Sequence, residues 1–194
     1  MVRNAGFSML EVMAVTGISL IITMAAIPNT VNSIGALRLR SSMTSLEGVI
    51  QNCRMLAVKQ NQTMSTHFSV TTYGASNGVL AYVKKASDAN PVLTADSQVQ
   101  LEQPVTQVTT LSGTGAPTTA LDSSMLGFTP QTTDPSFTMT GLPCSYSGGN
   151  CTNNGFVYYF HDSRPAPRTG WAAISISPAG RLKKWFWSGS TWTN

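Results

Sequence analysis

The stretch FSMLEVMAVTGISLIITMAAI, residues 7–27, decides how the rest of the chain is read. Fifteen of its 21 residues are apolar; the other six are Ser8, Glu11, Thr16, Gly17, Ser19 and Thr23. As a helix it measures roughly 30 Å, the thickness of a bilayer's hydrocarbon core, which predicts a membrane-spanning segment. The one charge ahead of it is Arg3. The positive-inside rule keeps that flank in the cytoplasm and turns the body outward. The stretch is longer than the apolar core of an ordinary secretory signal, and it carries an acid near its start. A bare carboxylate in lipid costs on the order of a few kcal/mol, so Glu11 needs a partner, or a place at the membrane edge where it protonates or snorkels.

Around that stretch the composition is low in charge. Of 194 residues 10% are charged and 42% are hydrophobic, against about 25% charged in a typical domain. This excludes a disordered polyelectrolyte. Twelve basic and eight acidic residues leave +4, which permits an anionic partner without requiring one. The length suits one domain with its own core. Three cysteines and two histidines leave little room for a zinc cluster, so neither metal nor cofactor is expected. Few charges with abundant Ser, Thr, Asn and Gly read as an exported, β-rich body.

Pro28 lacks an amide donor and disfavours helical geometry in Ile27, so a kink or local melt is expected there. Beyond it Leu37, Leu39, Met43, Leu46, Val49, Ile50, Cys53, Leu56 and Ala57 recur at helical intervals, predicting an amphipathic continuation to about Gln60 with one buried stripe. Arg54 and Lys59 read as a solvated helix face. Cys53 has the spacing of a small buried residue.

After Met64 the period changes. Residues 67–70, 79–83, 98–101, 105–108, 156–160, 171–176 and 182–187 read as short strands between Gly, Asn, Asp and Pro turns. The stretch from Thr109 to Gly155 is looser. Gly113-Thr114-Gly115 within it is no phosphate loop, because no helix signal follows. Cys144 and Cys151 enclose a Gly-rich loop and are expected to pair in an oxidising compartment. Catalytic signals are thin. His161-Asp162-Ser163 are neighbours in an extended segment and point to opposite faces, whereas a triad is assembled by convergence of distant residues. An enzyme is not expected.

Gly6-Phe7-Ser8-Met9-Leu10-Glu11 with Val12-Met13-Ala14-Val15 resembles the class III signal of type IV pilins and type II secretion pseudopilins. Cys53-Arg54-Met55-Leu56-Ala57-Val58-Lys59-Gln60 is similar to the helix end of the GspH/FimT group of minor pilins and pseudopilins, with Cys53 in place of the usual Ala. The resemblance implies cleavage between Gly6 and Phe7 by prepilin peptidase and N-methylation of Phe7. Glu11 would pair with the new amino terminus of a neighbouring subunit during assembly. The implied organisation is a leader at 1–6, a transmembrane or filament-core helix at 7–28, and a periplasmic globular domain at 29–194 that includes the second half of the helix. The implied fold class is α+β and pilin-like: a long N-terminal α-helix, kinked near Pro28, packed on an antiparallel β-sheet body. The implied location is the inner membrane, single pass, before assembly, and a periplasmic or extracellular filament after it. Other pilins or pseudopilins are the implied partners.

The carboxyl end concentrates charge. From His161 to Asn194 stand Arg164, Arg168, Arg181, Lys183 and Lys184 against Asp162, a local +4, together with Trp171, Trp185, Trp187 and Trp192. On a strand, Arg181, Lys183, Trp185 and Trp187 share one face, and Leu182, Lys184 and Phe186 share the other. Cations beside aromatic rings suit phosphates and exposed bases. Gly180-Arg181-Leu182-Lys183 resembles the G-R-x-R motif of FimT-type minor pilins, which bind DNA in natural transformation. Arg181 and Lys183 are the implied contacts, with Lys183 lacking the planar fork of Arg. Lys184, Arg164 and Arg168 join them on charge alone. Two other readings stay open: tryptophans that pack inward beside cations that only solubilise the body, and a minor pseudopilin of type II secretion without DNA affinity.

Overall fold

The structure, a computed structural model, describes residues 8–73, 76–88, 98–101, 104–113, 115–162 and 170–194, with the side chains at 25, 28, 29, 31, 32, 70–73 and 76–78 also outside the description. Helix α1 (Met9–Gln60) starts in a capping box: the Ser8 hydroxyl accepts from the Glu11 amide, and the Glu11 carboxylate accepts from the Ser8 amide. Two donors at the helix start are thereby satisfied. The helix continues through Pro28 without a break, so the expected local melt is absent. It ends at Asn61, whose left-handed backbone (φ 51°) lets its amide return to the carbonyls of Ala57 and Val58.

Twelve strands follow or flank a one-turn helix. They are β1 (Met64–Tyr73), β2 (Ser76–Lys85), β3 (Gln98–Gln100), β4 (Val105–Val108), then α2 (Ser123–Leu126), β5 (Pro130–Gln131), β6 (Ser136–Phe137), β7 (Pro143–Ser147), β8 (Asn150–Asn153), β9 (Gly155–Asp162), β10 (Trp171–Ile176), β11 (Leu182–Trp187) and β12 (Trp192–Thr193). One six-stranded sheet has the order β3-β2-β1-β6-β7-β8, with all pairs antiparallel. The second runs β12-β11-β10-β9-β4, with β5 added parallel to β9.

Side chains alternate across the second sheet and divide the interior in two. Phe156, Tyr158, Phe160, Ala172, Ile174 and Ile176 point into a main core shared with Met43, Leu46, Ile50 and Cys53 of α1. On the opposite face Val157, Tyr159, Trp171, Ala173, Trp185, Trp187 and Trp192 form an outer cluster with Leu121. A two-residue side-chain period applied to strands buried on both faces produces these two cores from one sheet.

The expected fold class is corrected. The body is mainly sheet, in two six-stranded sheets rather than one, and α1 does not lie on it along its length. Buried apolar side chains of the helix begin only at Leu39, and Leu37, read as part of the buried stripe, is 64% exposed. The physical reason lies in the stretch from Thr109 to Gly155, whose turn-rich composition hid β5 to β8 and the cover of the outer cluster. In that cover the Leu121 amide donates to the Tyr159 hydroxyl at 2.9 Å, and the Trp192 indole donates to the Thr119 carbonyl at 2.9 Å.

The expected membrane span is corrected too. No helix among the described residues is long and apolar enough to cross a membrane, which removes the support for a single-pass inner-membrane anchor and for the location built on it. The apolar stretch is interrupted by polar groups that must be satisfied within the helix itself. Thr16 donates to the carbonyls of Val12 and Met13, Ser19 to Val15 and Thr23 to Ser19. Glu11 is held by Ser8 at the helix start.

Candidate nucleic-acid interface

The β10–β11 hairpin carries the candidate residues. Its turn closes through the Gly180 amide to the Ser177 carbonyl at 2.7 Å and the Ser177 amide to the Arg181 carbonyl at 2.9 Å. Gly180 sits at φ +82°, a left-handed conformation that glycine adopts without the Cβ penalty. Across the hairpin Ser175 lies opposite Lys183, and Ala173 opposite Trp185.

This register sorts the cations. Lys183 shares the outer face with Trp185, its ammonium 5.3 Å from the indole centroid, and Arg181 stands exposed at the hairpin end. Lys184 points the other way and pairs with Glu47 of α1 at 2.7 Å, so it fastens helix to sheet. Arg164 and Arg168 lie outside the described residues, as do Gly6 and Phe7. All four tryptophans, Trp171, Trp185, Trp187 and Trp192, are buried, so they form no open aromatic platform of the kind the sequence suggested. Trp185 also reaches a cavity wall.

That cavity, about 280 Å³, opens on the outer face of the hairpin. Its lining combines Arg181, Lys183, Ser175, Ser177 and Trp185 with Phe128 and the α2 residues Met125 and Leu126. The Trp185 indole is oriented by its bond to the Ser175 hydroxyl at 2.8 Å. Phe128 lies against the Gly155 backbone so closely that a Cβ there would collide with its ring. α2 is held by Asp122, which accepts from the Ser124 and Met125 amides at 3.0 Å. The Ser124 hydroxyl, followed by the Met125 amide, pulls the Asp122 carboxyl below its usual range. Phe128, Met125 and Ser177 were invisible as site residues in the sequence, because they come from the turn-rich stretch and from a turn.

Other expectations resolve by contact. Arg54, read as a solvated residue, lays its guanidinium between the Gly141 and Gly180 turns and donates to the Gly180 carbonyl at 3.4 Å. Cys144 and Cys151 form a disulfide across the β7–β8 hairpin. Cys53 is fully buried, and burial pushes its thiol up to about 12, against a smaller downward pull from Thr66. His161 stacks on Trp171 with centroids 4.3 Å apart. Burial lowers its pKa, partly offset by Asp162.

His67 binds Asp134 through Nδ1, 67 residues away. Ser65 and Ser136, which line a polar cavity there with Asp134, bond to each other at 2.6 Å. Among the described residues no three His, Cys, Asp or Glu side chains gather as a metal-binding group. The chain matches no protein-family profile, no curated protein and no solved structure.

Proposed function

We propose that this chain is a subunit of a pilin-type filament, in the manner of a minor type IV pilin, and that its Arg181 and Lys183 face contacts DNA. The observation that carries the assembly reading is the first part of α1. Met9, Leu10, Met13, Ile18, Leu20, Ile21, Ile22 and Met24 are each 60% exposed or more on a helix that runs unbroken into the domain. A contiguous apolar surface of this kind marks an interaction site, and like helices from neighbouring subunits are the cover that fits it. Glu11 would then exchange its local bond with Ser8 for the amino terminus of a neighbour.

Assembly is tested with Glu11→Ala. Cleavage after Gly6, followed by mass spectrometry, is expected to be unchanged, while incorporation into filaments falls. Normal incorporation counts against the charge pairing. The DNA contact is tested by titrating the full chain with duplex DNA at rising salt. Binding should weaken as salt rises and be lost in Arg181→Gln/Lys183→Gln. A second reading, a minor pseudopilin of type II secretion, is favoured by the pairing of Lys184 with Glu47, which ties up one of the cations expected to contact DNA. Co-purification with secretion components and no affinity for DNA selects it.

A further inference from the structure

We infer that the cavity between the β10–β11 hairpin and α2 is a seat for one unpaired nucleobase, with the adjoining phosphate held by Arg181 and Lys183. This rests on the DNA contact proposed above and narrows it to single-stranded DNA. The charge is one-sided: two cations and two serine hydroxyls line the cavity, and none of its lining residues is a carboxylate. Lys183 is balanced by the Trp185 ring instead of an acid, so its ammonium can take an anion without breaking an ion pair.

Size sets the class of ligand. At about 280 Å³ the cavity lies just below the range of small-molecule sites, about 300–1,000 Å³, which suits one base better than a larger ligand. Shape sets the pairing state. The half-buried Phe128 offers an aromatic wall within a recess, and a base must leave its stack to enter one. Duplex DNA can bring phosphates to Arg181 and Lys183 but keeps its bases inside. All four tryptophans, Trp185 included, are buried, so none of them offers an exposed platform beside the recess. Stacking in such sites is tolerant of base identity, so little sequence preference is expected.

The test compares three ligands of equal length on the full chain by fluorescence anisotropy: oligothymidine, the same strand without bases, and a duplex. Oligothymidine is expected to bind about tenfold more tightly than the abasic strand, in line with the stacking of one base. Phe128→Leu should erase that difference and leave duplex binding unchanged, whereas Arg181→Gln/Lys183→Gln should abolish binding of all three. Equal binding of oligothymidine and the abasic strand overturns the base seat while leaving the DNA contact standing. Failure of all three to bind removes the DNA contact itself. The wild-type comparison decides the matter even if Phe128→Leu does not fold.

Discussion

The two ends of α1 are one continuous helix in opposite surroundings. Near its start the large apolar residues are exposed, from 51% at Val12 to 80% at Met9. Further on Leu39, Met43, Leu46, Val49, Ile50, Cys53 and Ala57 form a stripe no more than 6% exposed. The more continuously apolar end is thus the one left uncovered. Apolar content alone does not say what is buried; spacing matched to a facing surface does. The later end has polar residues between its apolar ones and therefore one face to offer the sheets. The first end is apolar on most sides and has no single face to seat.

Removing equal side chains from the two ends of α1 should have unequal costs. Ile50→Ala should destabilise the fold by about 2–5 kcal/mol, the cost of a core cavity. Ile21→Ala, at a 71% exposed position, should stay within about 0.5 kcal/mol. Urea unfolding followed by tryptophan emission measures both, and similar losses would mean that the first end is packed as well.

A cross-link away from α1 provides the next contrast. Replacing Cys144 and Cys151 with Ser should cost roughly 2.5 kcal/mol, from the entropy of closing a loop of about eight residues. The far-UV helix signal should be retained, because the bond lies within the β7–β8 hairpin. Loss of helix on reduction would show that the seat of α1 depends on that edge.

Smaller effects probe the contacts that fasten the seated end. Gly180→Ala forces a Cβ onto a left-handed backbone and towards the Arg54 guanidinium, with an expected cost of about 1–2 kcal/mol. A double-mutant cycle on Glu47 and Lys184 should give a coupling of about 0.2–1 kcal/mol, since both side chains remain partly exposed.

His161, remote from α1, makes stability depend on pH. Burial lowers the pKa of His161 in the fold, so folding favours the neutral ring. Its contribution is fully present above the unfolded value of about 6.5. It fades as pH falls through that value towards the lower folded one. Melting temperature should therefore drop modestly on acidification, and His161→Gln should flatten that slope.

Much of the secondary structure was readable in local pattern. Strands β4, β10 and β11 have the bounds that alternation and turn residues predict, and the helical stripe from Met43 to Ala57 follows its period. The division into two sheets was not readable. The short strands between Pro130 and Asn153 have little apolar alternation of their own and are defined by pairing with β1, β9 and each other. The candidate site was half legible. Alternation placed Arg181, Lys183 and Trp185 together, and it put Lys184 opposite. It could not supply Phe128, which reaches the hairpin from more than 40 residues upstream, nor the burial of Trp187 and Trp192 beneath the Leu121 segment.

The local order of residues sets the quantities that depend on near neighbours: where the helix ends, which strand residues share a face, and where cations and tryptophans accumulate. Which of those groups are free to act follows from contacts made in the folded chain. Glu47 draws Lys184 onto α1, the cover over the outer cluster encloses the tryptophans, and Phe128 turns a flat strand face into a recess. Those outcomes depend on contacts between residues far apart in the chain, and no local period encodes a distance through space.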